Sequence, residues 1–496
     1  MEHTPARLIP TIGLEIHAEL KTASKMFCPC KNDPDEERPN ANVCPICLGH
    51  PGTLPVLNRA AIERVLSIGA AVGGTLADFT EWDRKNYFYP DIPKGYQISQ
   101  YKHPLVSGGS LAGIGLERIH LEEDTARSTH DQHQKSLIDF NRSGVPLMEL
   151  VTAPAIHDAA TAVRFAKELQ LLLRYLGAGE ANLEKGEMRV EANVSVATPE
   201  DTAAGRLGVK TEVKNLNSFR AVEGAIAYEI QRQSAILEKN AAGDASEKVV
   251  QETRGWDDKA NETYSQRSKE SSHDYRYFPD PDIPKMKLSE MPGLSGPAIA
   301  AALPELPWAK RERLARDYAM TEKEAAVFVD DDKNVLAPYL EAVAAALPKR
   351  SPSSVRLAIN YFLTDYLGLL KKALGAAWMP SLRTAVAPGP FAELIGMIDA
   401  GEVNSRAAKD ILALMVAEPG AAPRALAEKH GLLQKSDAAS LEPAIDKVIS
   451  ENAKAVSEYK AGKAASLQFL IGMAMKATKG AGNPAAVKDM LVKKLS

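Results

Sequence analysis

Residues 11–20 read Thr-Ile-Gly-Leu-Glu-Ile-His-Ala-Glu-Leu, an alternation of apolar and polar side chains. Successive side chains of a β-strand point to opposite faces of its sheet, so this period of two predicts a strand. Its apolar side consists of Ile12, Leu14, Ile16 and Ala18, and its polar side of Glu15, His17 and Glu19. We therefore expect a sheet with one face packed on a core and the other face presenting carboxylates.

Three other segments of the first half carry similar acidic strand faces. Residues 187–196 and 210–214 alternate in the same way, and residues 120–124 read His-Leu-Glu-Glu-Asp. The polar side chains concerned are Glu122, Glu187, Glu191, Asn193, Glu212 and Lys214. One such face is ordinary in a solvated antiparallel sheet. Their recurrence, together with His17 and Asn215, predicts a shared site, because Mg²⁺ takes oxygen ligands when it bridges nucleotide phosphates.

A nucleotide site of this kind needs cations as well as carboxylates. When a phosphoryl group is transferred to a carboxylate, two anions approach each other, and a metal ion, lysine or arginine offsets their repulsion. The candidate side chains are Lys85, Lys214 and Arg276. The sequence contains no G-x-x-x-x-G-K-[ST] run and no G-x-G-x-x-G opening a helix. If ATP binds, it therefore binds without a P-loop.

All four cysteines of the chain fall in one short segment, as Cys28-Pro-Cys30 and Cys44-Pro-Ile-Cys47. Two tight turns with two thiolates each match the closed tetrahedral shell of a structural zinc ion. Such a shell leaves no position for water, so the predicted zinc ion would hold the loop of residues 25–52 in place rather than take part in catalysis. Disulfides are the main alternative, but they persist poorly in a reducing cytoplasm.

Proline clusters and a change of periodicity divide the chain. Five prolines between residues 278 and 298 break any regular element, and beyond them segments such as 354–374 show apolar residues at helical spacing. A second break falls at residues 401–405. The predicted domains are 1–292, 293–404 and 405–496. The predicted fold class is α+β: a cradle domain built on an antiparallel sheet with helices and a zinc-knuckle loop, then an all-α connector and an all-α tail.

Two helical patterns interrupt the strands of the first half. Residues 158–176 place an apolar stripe on one face, and Gly177 suits the end of a helix. Ser218 suits the start of a second helix. We expect both helices to cover the sheet, and we assign them no chemistry.

Composition and charge limit the class of protein. The chain is 45% hydrophobic and 25% charged, as in ordinary globular proteins, so a folded core is expected. No stretch approaches the ~20 apolar residues of a membrane span, and no leader peptide precedes the first strand, so we expect a cytoplasmic protein. The net charge is −4, yet residues 405–496 hold 14 Lys and Arg against 9 Asp and Glu. This basic tail fits either contact with RNA or a solvated helical face.

Several blocks along nearly the whole chain resemble the B subunit of the tRNA-dependent aspartyl/glutamyl amidotransferase. The blocks are Ile12-Gly-Leu-Glu-Ile-His17, Cys44-Pro-Ile-Cys-Leu-Gly-His-Pro-Gly52, Asp83-Arg-Lys-Asn-Tyr-Phe-Tyr-Pro-Asp91, His120-Leu-Glu-Glu-Asp124, Asn141-Arg-Ser-Gly-Val-Pro-Leu-Met-Glu149, Lys214-Asn-Leu-Asn-Ser-Phe219, His273-Asp-Tyr-Arg-Tyr-Phe-Pro279 and Asn404-Ser-Arg-Ala-Ala-Lys-Asp410.

The resemblance implies a reaction in two steps on a mischarged tRNA. ATP phosphorylates the side-chain carboxylate of Glu on tRNA(Gln) or of Asp on tRNA(Asn), and ammonia then displaces the phosphate. The ammonia is implied to come through a tunnel from an amidase-type glutaminase, the A subunit, while a small C subunit holds the A and B subunits together. The tail domain is implied to bind the body of the tRNA.

The resemblance also assigns residues of this sequence. The candidates for the magnesium and phosphate site are Glu15, His17 and either Glu122 or Glu123. The candidates for the same chamber or the path of ammonia are Glu187, Glu191, Glu212 and Lys214. The candidates for contact with the nucleotide are Lys85, Asn193, Asn215 and Arg276.

Two other functions remain open at this point. A noncatalytic adaptor would use the zinc loop and basic tail to hold tRNA, with the acidic faces serving only solubility. A stand-alone ATP-dependent ligase for small acids would turn over without tRNA. Consumption of ATP that depends on mischarged tRNA distinguishes the amidotransferase from both.

Overall fold

The computed structural model of the protein describes residues 8–130, 135–244, 246–268, 274–331, 333–434, 438–478 and 482–495. His273, the first residue of one sequence block above, lies outside these ranges. The chain divides into two compact units, Met1–Pro307 and Trp308–Ser496. No helix within the described ranges is both long and apolar enough to cross a membrane.

The strands of the described ranges all belong to the first unit. They are β1 Ile9–Glu19, β2 Thr75–Leu76, β3 Phe79–Thr80, β4 Asp83–Asn86, β5 Tyr96–Ser99, β6 Val106–Ser107, β7 Ser110–Leu111, β8 Ile114–Glu123, β9 Arg127–His130, β10 Ser136–Asp139, β11 Pro146–Thr152, β12 Met188–Ala197, β13 Thr211–Leu216, β14 Glu252–Asp257, β15 Glu262–Ser268, β16 Phe278–Pro279 and β17 Met286–Lys287.

Helices occur in both units. They are α1 Arg59–Ala71, α2 Ala159–Tyr175, α3 Pro199–Ala203, α4 Phe219–Ala241, α5 Gly296–Ala301, α6 Pro307–Tyr318, α7 Glu322–Val329, α8 Leu336–Ala346, α9 Pro352–Tyr361, α10 Leu367–Leu374, α11 Leu382–Ala385, α12 Pro388–Asp399, α13 Ser405–Ala417, α14 Pro423–Lys429, α15 Ala438–Glu451, α16 Ala453–Lys460, α17 Ala464–Ala477 and α18 Pro484–Leu495. A π-helical segment, Phe362–Tyr366, joins α9 to α10.

One large sheet organises the first unit, in the order β15-β14-β13-β12-β1-β11-β8-β6-β2, with β7 also paired to β8. The predicted strand β1 lies in its interior and pairs antiparallel with β12 and β11. The sheet is antiparallel, as predicted, except at one place, where β13 and β14 run parallel. Parallel strands need a crossover connection, and the chain between β13 and β14 contains the long helix α4, which can provide it.

The two faces of this sheet differ as the alternation predicts. Ile12, Leu14 and Ile16 on β1 are fully buried. Helices α2 and α4 pack against each other and contact β1 and β12 respectively. Ser218 caps α4 as predicted, accepting a hydrogen bond from Ala221 N, and Asp158 caps α2 by accepting one from Thr161 N. Because the helices cover the apolar face, the acidic side chains are left on the opposite face.

A small sheet of β16, β4 and β5 stands next to β8. Side chains attach it there: Ser99 donates to Glu122 Oε2 at 2.8 Å, and Gln100 Oε1 accepts from Leu121 N at 3.0 Å. Lys85 lies on β4, with its Nζ 5.0 Å from the centre of the Tyr275 ring. The small sheet thus brings a lysine and an aromatic wall to the acidic face.

The second unit is built from helices, so the predicted α+β class, with strands first and helices after, is confirmed. A buried core joins α15, α17 and α18; its residues are Leu441, Ile445, Val448, Leu470, Ala474, Val487, Leu491 and Leu495. Helix α13 packs against α12 and α14 instead. The division between the two compact units falls after Pro307 in the chain. The domain boundaries at residues 292 and 404 remain predictions.

Candidate functional site

The acidic face is assembled by strand register around β1. Glu15 lies opposite Glu191 on β12, and His17 lies opposite Glu149 on β11. Glu149 in turn lies opposite His120 on β8. Directly opposed side chains on one face of an antiparallel pair come close enough to interact. The register therefore brings together charged residues that are far apart in sequence.

The first group, which we call the histidine cluster, consists of His17, Glu122 and Glu149. One possible ligand atom from each lies within 4.8 Å of the others. His17 Nε2 is 3.2 Å from Glu149 Oε2 and 4.0 Å from Glu122 Oε1. His120 borders the cluster, with its Nε2 3.6 Å from Glu122 Oε2 and 3.4 Å from Glu149 Oε2. Of the candidates predicted for the magnesium site, His17 and Glu122 meet here.

The histidine cluster keeps its charges despite burial. Burial opposes ionisation of Glu122, but the contact with His120 and the charge of Lys85 lower its pKa. Burial likewise opposes ionisation of Glu149, and His120 and His17 outweigh it to lower that pKa. For Lys85, burial is outweighed by Glu122, so its pKa is raised. The site therefore holds ionised carboxylates next to a protonated lysine.

The second group, the carboxylate cluster, consists of Glu15, Glu191 and Glu212, again with ligand atoms within 4.8 Å of one another. Lys214 Nζ lies 2.8 Å from Glu191 and 3.5 Å from Glu212. These carboxylates outweigh burial and raise the pKa of Lys214. Asn193 donates to Glu15 Oε1 at 2.9 Å, and its own Oδ1 is buried with no partner in the described ranges. An unpartnered buried oxygen beside three carboxylates suits a cation.

Both clusters fit a divalent cation by their chemistry. Mg²⁺ binds oxygen ligands at about 2.1 Å in octahedral geometry, so its ligands lie about 3 to 4.2 Å apart. In both clusters the possible ligand atoms lie within 4.8 Å of one another, which is close to that separation. Glu15 and His17 are two residues apart on β1, which separates the clusters by only about 7 Å. Two cation sites can thus lie side by side on one face.

The four cysteines form a third possible metal site, apart from the acidic clusters. Their Sγ atoms lie within 4.8 Å of one another, and none is in a disulfide. Cys44 and Cys47 Sγ are 3.9 Å apart. Two sulfurs at about 2.3 Å on a tetrahedral zinc ion lie about 3.8 Å apart, so the geometry is consistent with zinc.

The structure does not bring every predicted residue to the clusters. Glu123 contacts Lys94 and accepts from Ile98 N at 2.9 Å, lining a separate cavity of about 230 Å³. Glu187 accepts from Asn182 N at 3.1 Å and lines another cavity, of about 440 Å³. Neither carboxylate belongs to either cluster.

Two of the predicted nucleotide contacts, Asn215 and Arg276, make no side-chain hydrogen bond or ion pair with either cluster in the described ranges. Asn215 is exposed and has a left-handed backbone, with φ 65°. Arg276 is 82% exposed and pairs with Asp274 at 3.6 Å. Their roles stay predictions, whereas Lys85 and Asn193 do lie against the clusters.

Sequence reasoning assigned no role to Glu149 and His120. Glu149 ends one of the quoted blocks, and His120 begins another. The available signal for His120 was its place on the polar side of an alternating segment, and for Glu149 its place as the one charged residue of the apolar run 146–152. Their partners could not be identified, because strand register is not encoded locally.

Comparisons with known proteins give matches along nearly the whole chain. A family profile described as the GatB/GatE catalytic domain matches residues 10–292, and one described as the GatB domain matches residues 339–495. The chain is 42% identical to a protein of Myxococcus xanthus, over 98% of each chain. It is 41% identical to a protein of Thermomicrobium roseum, over 97% of each, and to one of Dehalococcoides mccartyi, over 98% of each. All three relatives are named as the B subunit of an aspartyl/glutamyl-tRNA(Asn/Gln) amidotransferase.

Proposed function

Because the chain belongs to the family of aspartyl/glutamyl-tRNA(Asn/Gln) amidotransferase B subunits, as its motifs predicted, we propose that it activates the side chain of a mischarged aminoacyl-tRNA with ATP. The substrates are Glu-tRNA(Gln), Asp-tRNA(Asn) or both. The chain is then part of an ATP-dependent ligase that forms a carbon–nitrogen bond with glutamine as amide donor.

One observation carries this proposal: the histidine and carboxylate clusters lie side by side on the open face of the sheet, with Lys85 against one and Lys214 against the other. A protein that only held tRNA would have no need to concentrate the glutamates of both clusters there. Concentrated like charges cost free energy, and such arrangements gather at functional sites.

The reaction begins with attack on ATP. An oxygen of the aminoacyl side chain forms a bond to the γ-phosphorus, the bond from that phosphorus to the β-γ bridging oxygen breaks, and ADP leaves. Ammonia then attacks the acyl carbon, loses a proton, and inorganic phosphate leaves. A hydroxyl is thereby replaced by an amide nitrogen, and one ATP becomes ADP and phosphate.

The residues of the two clusters orient the reactants. Glu122, Glu149 and His17 would hold one Mg²⁺, and Glu15, Glu191 and Glu212 a second. When bound, these ions supply positive charge that lets a carboxylate approach a triphosphate. Lys85 stays protonated beside the histidine cluster and offers a further cation to the phosphates.

The same face must keep water out. The ring centres of Tyr87 and Tyr275 lie 5.9 Å and 5.0 Å from Lys85 Nζ, and Tyr277 packs against Tyr275. We propose that these rings limit the access of solvent to the carboxylates. An acyl phosphate hydrolyses in water, and free ammonia is protonated there. We propose that ammonia reaches this face through a protein tunnel from a glutaminase.

The relatives are named as B subunits, which places the chain in a multi-subunit enzyme. We propose an amidase-type glutaminase, the A subunit, and a small C subunit as its partners, and the cytoplasm as its location. We propose also that residues 1–292 hold ATP and the aminoacyl end of the tRNA and that residues 405–496 bind the tRNA body. Residues 293–404 would connect these two domains. Zn²⁺ on the four cysteines would fix the loop that follows β1.

Formation of ADP by the assembled complex tests the proposal. We expect ADP to appear only when Glu-tRNA(Gln) or Asp-tRNA(Asn) is present, and uncharged tRNA serves as the control. Absence of ADP formation with both charged tRNAs, while glutamine is hydrolysed normally, would favour the adaptor. ADP formation with free glutamate or aspartate and no tRNA would favour the stand-alone ligase.

A further inference from the structure

Two histidines contact the same carboxylates in the histidine cluster, but they differ in exposure. The side chain of His17 is 16% exposed, whereas that of His120 is 2% exposed. Their Nε2 atoms lie 3.2 Å and 3.4 Å, respectively, from Glu149 Oε2. Strand register explains why both histidines contact Glu149, because Glu149 on β11 lies opposite His17 on β1 and opposite His120 on β8. One histidine is therefore on the open side of the cluster and the other on the enclosed side.

The two histidines also face different oxygens of Glu122. His17 Nε2 lies 4.0 Å from Oε1, and His120 Nε2 lies 3.6 Å from Oε2. The Oε2 atom already accepts a hydrogen bond from Ser99 Oγ at 2.8 Å. On the enclosed side, His120 and Ser99 therefore contact Oε2 of Glu122, and Oε1 is the oxygen nearer to His17.

The second ring nitrogen indicates which tautomer His120 adopts. Its Nδ1 is buried and has no hydrogen-bond partner within the described part of the chain. A buried N–H with no acceptor is costly and rare, whereas an unpaired acceptor is tolerated more often. Nδ1 therefore carries the lone pair and Nε2 carries the hydrogen. The nearest carboxylate oxygens of Glu149 and Glu122 lie 3.4 Å and 3.6 Å from Nε2. A ring nitrogen that carries a hydrogen is not free to bind a metal ion.

We propose that His120 is a positioning residue: its Nε2–H holds Glu122 and Glu149 together from the enclosed side, so that they converge with His17 on a divalent cation. The inference rests on the proposed function, because it presupposes that cation site. Two adjacent carboxylates repel each other, and a donor placed between them reduces the repulsion without occupying the open side. Loss of such a supporting contact typically weakens metal binding by about 10- to 100-fold.

Mn²⁺ provides a probe that distinguishes the two histidines. It replaces Mg²⁺ at oxygen-rich sites and accepts imidazole nitrogen, and its electron spin reports a directly bound ¹⁴N by pulsed EPR. The carboxylate cluster offers only oxygen atoms, so a nitrogen coupling reports the histidine cluster alone. Mn²⁺ binding needs neither ATP nor tRNA, and it is measured on the assembled complex.

Three substitutions and one control make the test specific. His120→Met removes the donor and keeps the bulk, and His120→Gln restores an N–H near the original Nε2. His17→Gln removes the expected ligand. His103→Gln is the matched control, because His103 also lies beside a glutamate, 3.7 Å from Glu81, outside both clusters.

We expect His120→Met to weaken Mn²⁺ binding by about 10- to 100-fold and to leave the nitrogen coupling of the bound ion intact. His120→Gln should recover most of the affinity, and His17→Gln should abolish the coupling. Unchanged affinity in His120→Met, or loss of the coupling there with retention in His17→Gln, would overturn the inference. A wild-type complex without any nitrogen coupling would overturn both this inference and the proposed cation site. Normal Mn²⁺ binding without ADP formation would contradict the proposed function alone.

Discussion

Glu122 and Glu123 are consecutive on β8, yet their carboxylates contact different partners. Glu122 Oε2 accepts from Ser99 Oγ at 2.8 Å inside the histidine cluster, whereas Glu123 Oε1 accepts from Ile98 N at 2.9 Å and contacts Lys94. The reason is the pleat of the strand, which turns neighbouring side chains to opposite faces. Only one of the two is therefore placed to bind a cation with His17.

Exchange of each glutamate for glutamine separates their roles. Glu122→Gln should lower tRNA-dependent ADP formation by about 100-fold, because it removes a charged ligand where charge develops. Glu123→Gln should instead lower the free energy of unfolding by about 3 kcal/mol, because it leaves Lys94 without its charged partner in a largely buried position. Steady-state kinetics and urea unfolding measure the two effects. Equal losses of ADP formation in both variants would contradict this division.

Glu15→Ala tests the carboxylate cluster. The substitution removes one of three possible ligands and leaves Asn193 Nδ2 without its acceptor. We expect ADP formation to fall by about 100-fold or more, with the fold and tRNA binding retained. The control is Glu117→Ala, an exposed glutamate on β8. If Glu15→Ala keeps wild-type ADP formation, the second cation site is not needed for catalysis.

Removal of metal tests the cysteine site. We expect about one zinc ion per chain, and we expect a strong chelator or Cys44→Ser to remove it and to lower Tm, because zinc binding contributes directly to folding. Metal analysis and thermal unfolding check this, and restoration of Tm by added Zn²⁺ is the control for the chelator. A metal-free chain with the same Tm, or a disulfide found by mass spectrometry, would exclude a structural zinc ion.

Glu19 predicts a pH dependence of stability. Burial and the charge of Asp124 raise its pKa from 4.5 to about 8. Between these values the folded state binds more protons than the unfolded state, so the contribution of Glu19 to stability falls as pH rises. Glu19→Gln cannot ionise and should therefore be more stable than the wild type above pH 8, with a smaller difference near pH 5. Urea unfolding across this range is the measurement, and an unchanged pH profile relative to wild type would show that Glu19 is not perturbed.

Local patterns in the sequence were sufficient for several elements of this fold. The alternation of residues 11–20 is observed as β1, the helical pattern of residues 158–176 as α2, and the cap at Ser218 begins α4. These features depend on residues close in sequence. The clustering of the cysteines was likewise evident from spacing alone, because all four lie in one loop.

The composition of each cluster could not be obtained in the same way. His17 meets Glu149 only because β1 pairs with β11 in one particular register, and a shift by one residue would turn Glu149 to the other face. Glu187 was predicted for the chamber because its segment alternates like β12, but it precedes that strand and bonds to Asn182 instead. Pairing between distant strands is a tertiary property, which periodicity does not specify.

The most direct test of the central claim follows an oxygen atom. Glu-tRNA(Gln) or Asp-tRNA(Asn) with ¹⁸O at both oxygens of its side-chain carboxylate is given to the assembled complex with ATP and glutamine, and the phosphate produced is analysed by mass spectrometry. If the carboxylate attacks ATP, that oxygen leaves with phosphate when ammonia displaces it, so each phosphate should carry one ¹⁸O. Phosphate free of ¹⁸O, formed together with the amide, would contradict phosphorylation of the side chain.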